Sequence, residues 1–139
     1  MKTISFLIFS VLFLSLSCKK DEKTPSTEKS IIIGNDAFNT YPNDHLIISD
    51  VSISGDYLQI GFGSSGCDGK SWIIELVGSA DILYSNPPQR QIRLSLKNNE
   101  LCAAAFGKTM TFNLKPSRIS SGEIILNLAG WNSPIRYKY

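Results

Sequence analysis

The clearest strand pattern in the chain is the segment QIRLSLK at residues 91–97. Apolar Ile92, Leu94 and Leu96 alternate there with polar residues. Because successive side chains of a β-strand point to opposite faces, this alternation predicts a strand with one buried and one exposed face. We therefore expect the apolar side of 91–97 to face a hydrophobic core.

Similar patterns recur on both sides of this segment, separated by turn signals such as Ser54-Gly55-Asp56 and Ser120-Ser121-Gly122. Short strands at this spacing are typical of sandwiches and small barrels. The sequence predicts an all-β fold, a single antiparallel β-sandwich that is either immunoglobulin-like or a small barrel. Its further strands are Leu46–Ile53, Tyr57–Phe62, Ser71–Val77, Thr109–Leu114, Glu123–Leu128 and a polar edge strand at Ile135–Tyr139.

One segment, Glu100–Phe106, has helical character because it contains Leu101-Cys102-Ala103-Ala104-Ala105. It would form about two helical turns at most. A strand is an equally good interpretation of this segment.

The N-terminus has the pattern of an export signal. Met1-Lys2 precedes an apolar run at 4–14, and Ser15-Leu16-Ser17 leads to Cys18. The run is too short to cross a bilayer comfortably, which takes about 20 apolar residues. A plain secretory signal and an uncleaved N-terminal anchor are the alternatives.

This segment resembles the signals of bacterial lipoproteins, in which a diacylglyceryl group is attached to the cysteine. Ser15 stands where those signals usually carry Leu. With Cys18-Lys19-Lys20-Asp21-Glu22 it is most similar to small cell-envelope lipoproteins of the Bacteroidota. The resemblance implies a signal peptide at 1–17, lipidation (palmitate) of Cys18, and a lipid anchor in the outer membrane, on its surface-exposed or periplasmic face.

Residues 18–30 are polar and lack periodicity, which predicts a lipidated cysteine followed by a disordered linker. Residues 31–139 then form the β-sandwich domain. Five of the 14 basic and three of the 12 acidic residues lie within 1–30, so the domain carries equal numbers of both. A neutral domain lacks the basic face that nucleic-acid binding requires, and we expect no nucleic-acid partner.

Cys67 and Cys102 are an even pair in an oxidising compartment, so we predict that they form a disulfide. The alternative is a nucleophilic cysteine assisted by His45, the single histidine. We expect His45 to be an exposed loop residue instead.

No other group of residues has the spacing of a catalytic or metal site, so we predict no catalytic residues, no metal and no cofactor. Gly61 to Gly66 matches G-x-G-x-x-G, but a strand follows it where a nucleotide site needs a helix. Asn35-Asp36 and Asn43-Asp44 are interpreted as turn formers, with weak calcium binding as the alternative.

The candidates for contact with a partner are Trp131, Tyr137 and Lys70, in segments that proline, glycine and asparagine mark as loops. The pattern from Leu58 to Leu114, with Gly66-Cys67 and Phe112-Asn113-Leu114, also resembles Bacteroidota lipoproteins. We therefore expect a membrane-anchored accessory module that binds an envelope protein, a glycan or a peptide, and that is not an enzyme. The alternative is an inhibitor or immunity protein that acts against an envelope-directed hydrolase through loops 63–70 and 129–134.

Overall fold

A computed structural model describes residues 28–139. The predictions on the signal peptide, Cys18 and most of the linker lie outside this range. Nine strands, one short helix and one 3₁₀ turn make up the described chain. They are β1 (Lys29–Ser30), β2 (Ile32–Ile33), α1 (Asn35–Thr40), β3 (Ile47–Ser54), β4 (Tyr57–Gly66), β5 (Ile73–Gly78), β6 (Gln89–Lys97), β7 (Ala104–Asn113), the 3₁₀ turn (Lys115–Ser117), β8 (Glu123–Leu128) and β9 (Ile135–Lys138).

The strands form two sheets that pack face to face. One sheet has the order β1-β7-β4-β3, and the other has the order β2-β5-β6-β8-β9. The prediction of an all-β sandwich is confirmed, and the sheets stay separate rather than closing into a barrel. Between them lies a core of alternating apolar side chains: Leu58, Ile60, Phe62, Trp72, Ile74, Leu76, Ile92, Leu94, Leu96, Phe112, Ile124, Leu126 and Tyr137.

The strand pairing is mixed, whereas the sequence pattern suggested a wholly antiparallel sandwich. Three pairs are parallel: β1 with β7, β2 with β5 and β6 with β8. The cause is the path of the chain, because β7 crosses to the other sheet before β8 returns beside β6. Because β7 runs back along the opposite sheet, β8 re-enters the five-stranded sheet in the same direction as β6.

The chain also changes sheets at its start. β1 belongs to one sheet, β2 to the other, and buried Ile31 lies between them. Lys29 and Ser30, which the sequence places in the linker, pair with Phe112 and Asn113 of β7. Lys29 also donates hydrogen bonds to Glu75 and to the Ile74 carbonyl on the other sheet.

The segment Glu100–Phe106 is not a helix. β7 begins at Ala104 and pairs with β4 without interruption, from Gly66↔Ala104 to Tyr57↔Asn113. This long-range pairing outweighs the helix propensity of the alanines. Residues 98–103 are a loop. In the described part of the chain, no helix is long and apolar enough to cross a membrane.

The last strand also departs from expectation. β9 lies at the edge of its sheet, as predicted, but Ile135 and Tyr137 point inward. Tyr137 is completely buried, so the expectation that its side chain is exposed for partner contact is wrong. The alternation of β9 decides this outcome, because every second side chain of an edge strand still faces the core.

Candidate functional site

The best-organised surface of the molecule is a pair of loops at one end of the sandwich, which we call the cysteine loops (residues 66–72 and 98–103). The first joins β4 to β5 and the second joins β6 to β7, so both cross from one sheet to the other. A disulfide between Cys67 and Cys102 links them, as predicted from the sequence. Neither of these two cysteines is therefore a free thiol nucleophile.

The carboxylate of Glu100 is the centre of the cysteine loops. Its Oε2 accepts hydrogen bonds from the backbone N–H groups of Cys67 (2.6 Å), Asp68 (3.1 Å) and Gly69 (3.0 Å). Its Oε1 accepts from the backbone N–H of Ser71 (3.3 Å) and from the Ser71 hydroxyl (2.7 Å). One side chain thus accepts from four backbone N–H groups of the neighbouring loop, while the Lys70 N–H donates to Asp68 Oδ1, and together these bonds fix the shape of the turn.

These contacts favour the ionised form of Glu100. The hydrogen bond from the Ser71 hydroxyl is the largest influence, and the backbone N–H groups of Gly69, Cys67 and Asp68 act in the same direction. Together they lower the pKa of Glu100 to about 2. The carboxylate remains charged throughout the neutral range, so its hold on the loop does not depend on small changes of pH.

Gly66 and Gly69 allow this close packing. A side-chain carbon at Gly66 would lie 2.4 Å from Glu100 Oε2 and 3.1 Å from Trp72 Nε1, so any larger residue would displace the Glu100 carboxylate. Gly69 has a positive φ of 66°, a conformation that side chains rarely adopt. The Lys108 ammonium packs against the same loop: it donates a hydrogen bond to the Gly69 carbonyl and lies 5.1 Å from the Trp72 ring centroid.

Asn98 connects the second cysteine loop to its surroundings. Its side chain accepts a hydrogen bond from the Glu100 N–H (2.9 Å) and donates to the Ser65 carbonyl (2.7 Å). Its backbone N–H donates to Asp44 Oδ2 at 2.6 Å. Glu100 is consequently held from the backbone side as well as through its carboxylate.

Leu101 projects from this framework into solvent. Its side chain is 98% exposed, although it sits between Glu100 and the disulfide-bonded Cys102. Within residues 28–139, no hydrogen bond uses the backbone N–H or C=O of Leu101, Cys102 or Ala103. The loop therefore presents an apolar side chain and free backbone groups from a restrained position.

The three predicted contact residues have different surroundings. Lys70 lies in the first cysteine loop with its side chain 85% exposed, and it pairs with Asp68 at 2.7 Å. That contact lowers the pKa of Asp68. Trp131, in the β8–β9 loop, is half-buried against the core. No hydrogen bond or ion pair of the described chain joins Lys70 to Trp131. Tyr137 is buried and does not form a contact surface with them.

Tyr137 belongs instead to a cluster at the opposite end of the sandwich, the Asp56 cluster (Asp56, Arg118 and Tyr137). The Tyr137 hydroxyl donates to Asp56 Oδ1 at 2.6 Å and accepts from Arg118 Nε at 2.9 Å. Arg118 also pairs with Asp56. The hydrogen bond from Tyr137, and then that from Arg118, lowers the pKa of Asp56, while burial raises the pKa of Tyr137.

The remaining candidates serve structural roles or lie in exposed loops. Asn35 Oδ1 accepts from the Ser79 hydroxyl and the Ala80 N–H, and Asp44 caps Asn98. His45 is exposed, as expected. Among residues 28–139, no three His, Cys, Asp or Glu side chains come together in a way that could hold a metal ion.

Glu100 and Leu101 are functional candidates that the sequence pattern did not identify. Their segment was interpreted as a short helix or strand because of its alanines. The informative signal was the Asn98-Asn99 turn immediately before Glu100, together with the pairing of Cys102 with Cys67.

The fold and the cysteine loops define a disulfide-linked β-sandwich domain with mixed strand pairing. No protein-family model matches the sequence, and no curated protein sequence matches it. Several solved structures share the fold. A NigD-like immunity protein from Bacteroides caccae has a TM-score of 0.59 at 9% identity, over 78% of this chain and 58% of that chain.

A protein of unknown function, DUF1344, from Bacteroides vulgatus has a TM-score of 0.54 at 21% identity, over 81% of this chain and 57% of that chain. A toxin-related protein from Parabacteroides distasonis has a TM-score of 0.52 at 19% identity, over 81% of this chain and 61% of that chain. The chain thus spans less than two thirds of the length of each of these proteins. Similarity at this level of identity shows a common fold.

Proposed function

We propose that this protein is a lipid-anchored binding module of the cell envelope that contacts a protein partner through the cysteine loops. The observation that carries the proposal is the restraint of these loops. Five hydrogen bonds to Glu100 and one disulfide fix them before any partner is present. A surface that is already ordered loses little conformational entropy on binding, and affinity increases accordingly.

The chemistry of the surface favours a protein over a charged polymer. The cysteine loops carry exposed Leu101 together with one carboxylate and one ammonium, Asp68 and Lys70, which neutralise each other at 2.7 Å. Protein interfaces combine an apolar anchor with a polar rim in this manner. The proposed role is binding, with no catalytic step assigned to the protein.

The anchor is tested separately from the partner. Cells that express the protein are grown with a labelled fatty acid, and the protein is fractionated alongside a Cys18→Ser variant. We expect label on the protein only when Cys18 is present, because stable membrane attachment requires acyl chains. An unlabelled protein that fractionates identically to the Cys18→Ser variant would contradict the lipid anchor.

The partner is tested by photo-crosslinking in intact cells, with the photoreactive residue at position 70 in the cysteine loops. A matched control carries it at position 84, because Tyr84 is likewise an exposed residue (98%) but lies in the β5–β6 loop at the opposite end. We expect a discrete crosslinked protein from position 70 and none of the same mass from position 84. Crosslinks that are equal at both positions, or absent at position 70, would contradict the proposal.

A second candidate function is immunity against a toxin or hydrolase directed at the envelope. Two of the structures with this fold support it, the NigD-like immunity protein and the toxin-related protein. Here the test is protection. A susceptible strain that expresses the protein should survive culture supernatants of a competing strain better than the same strain with a Leu101→Asp variant. Equal killing of the two strains by every supernatant tested would count against this candidate.

A further inference from the structure

We propose that Leu101 enters the apolar specificity pocket of a serine protease, so that the cysteine loops act as a protease-inhibiting element. The inference rests on the proposed binding function and names the class of partner. Its basis is the juxtaposition of three features in consecutive residues: Glu100 bound to the neighbouring loop, Leu101 in solvent, and Cys102 in the disulfide.

The exposure of Leu101 is the first step. An apolar side chain that is 98% exposed contributes nothing to the core, and its transfer into an apolar pocket is favourable by the hydrophobic effect. Proteases of the chymotrypsin type have a hydrophobic specificity slot, whereas trypsin has an acidic residue at its base. Leucine therefore selects the first kind of pocket and not the second.

The free backbone around Leu101 is the second step. A protease binds the chain around the scissile bond in extended form and makes main-chain hydrogen bonds with it, as in strand addition. The N–H and C=O groups of Leu101, Cys102 and Ala103 have no partners within residues 28–139 and can therefore serve this purpose. These unpaired backbone groups thus lie in the same three residues that begin with the exposed Leu101 side chain.

Restraint on both sides of Leu101 is the third step, and it separates an inhibitor from a substrate. Hydrolysis of the Leu101–Cys102 peptide bond would add one water molecule and produce a Leu101 carboxylate and a Cys102 amine. Glu100 would still be held by its hydrogen bonds and Cys102 by the disulfide. The two new ends would stay together, so release is slow and the loss of one water molecule restores the bond.

The experiment measures inhibition of chymotrypsin and trypsin by the protein purified from the cell envelope, by a Leu101→Lys variant and by a Tyr84→Lys control. The original protein should inhibit chymotrypsin stoichiometrically and leave trypsin active. Leu101→Lys should weaken chymotrypsin inhibition by about 30-fold or more, the scale of an interface hot spot, and should gain inhibition of trypsin. Tyr84→Lys should behave like the original protein.

Reduction of the disulfide gives a second measurement on the same samples. The reduced protein should be cleaved after Leu101 and released, because one of the two restraints is gone. The proposal is overturned if the oxidised protein is cleaved there without inhibition, or if inhibition is insensitive to residue 101. A crosslinked partner at position 70 that is not a protease would also overturn it, while the binding function would stand.

Discussion

The two ends of the sandwich are both organised by a carboxylate, but the partners of that carboxylate differ. Glu100 is bound by four backbone N–H groups and one hydroxyl from a single loop. Asp56 is bound by the side chains of Arg118 and Tyr137, which come from distant parts of the chain. The first arrangement fixes the shape of a loop, and the second joins the β3–β4 hairpin to β9 of the other sheet.

This difference predicts that the cysteine loops tolerate substitution of their exposed residues, whereas the Asp56 cluster does not. Backbone donors are the same for almost any residue, so Asp68 and Lys70 can vary without loss of the Glu100 contacts. At the Asp56 cluster each side chain is itself a partner, and buried Tyr137 is also part of the core. We therefore expect specificity to be located in the cysteine loops and stability at the Asp56 end.

The largest effect is expected from Tyr137→Ala, which removes a completely buried ring. Such substitutions cost about 3–5 kcal/mol of unfolding free energy. Tyr137→Phe keeps the ring and removes the hydroxyl that Asp56 and Arg118 share, and it should cost about 1–3 kcal/mol. Urea unfolding of both variants measures this. If Tyr137→Ala were no more destabilising than exposed Tyr84→Ala, the assigned role of this end would be wrong.

A smaller effect is expected from the double variant Cys67→Ser, Cys102→Ser. The disulfide closes a loop with a sequence separation of 35, for which chain entropy corresponds to about 3–4 kcal/mol. Hydrogen exchange should show faster opening of residues 66–72 and 98–103, with little change at Asp56 and Tyr137. Equal acceleration at both ends would show that the disulfide stabilises the whole sandwich rather than its own end.

Acid should weaken the cysteine loops in a defined pH range. The pKa of Glu100 is lowered from 4.5 to about 2, so its contribution is complete above the ordinary value and is lost as the pH falls through the lowered one. NMR titration of the Glu100 carboxyl and of the Gly69 N–H should show coincident transitions near that pH. Glu100→Gln should abolish the Gly69 transition. A Gly69 N–H transition near the ordinary pKa would contradict the hydrogen bonding described.

The smallest effect is expected from Lys70→Ala, because the Lys70–Asp68 ion pair is exposed to solvent. Exposed pairs contribute little to stability and are screened by salt. The melting temperature should stay unchanged within error in both low and high salt. Binding of the crosslinked partner should nevertheless weaken, since Lys70 lies on the proposed contact surface. A marked fall in melting temperature would instead assign Lys70 a structural role.

The apolar alternation predicted the sandwich well because burial alone specifies it. The segments around Leu94, Phe62 and Leu126 lie in strands β6, β4 and β8 as expected. Parallel pairing was not predictable in this way, since β8 carries the same alternation whichever direction its neighbour runs. Strand order depends on connections through the opposite sheet, and no local pattern of side chains encodes them.

The candidate site was predictable only in part. The pairing of Cys67 with Cys102 followed from composition, whereas the contacts of Glu100 depend on a turn formed about 30 residues away in sequence. Tyr137 was misplaced because its neighbours, Arg136 and Lys138, are polar and suggest an exposed strand. In sequence, an edge strand with one buried face cannot be distinguished from an exposed strand that carries a few aromatic residues.

The change of sheets at Ile31 has a mechanical consequence. Tension applied to the chain ahead of Glu28 reaches β1, which is bonded to β7, and through Lys29 it also reaches Glu75 on the opposite sheet. The force is thus shared by the two sheets and does not act only on the hydrogen bonds of one edge strand. A domain pulled from this point should resist extension as a whole, with the cysteine loops left undisturbed at its far side.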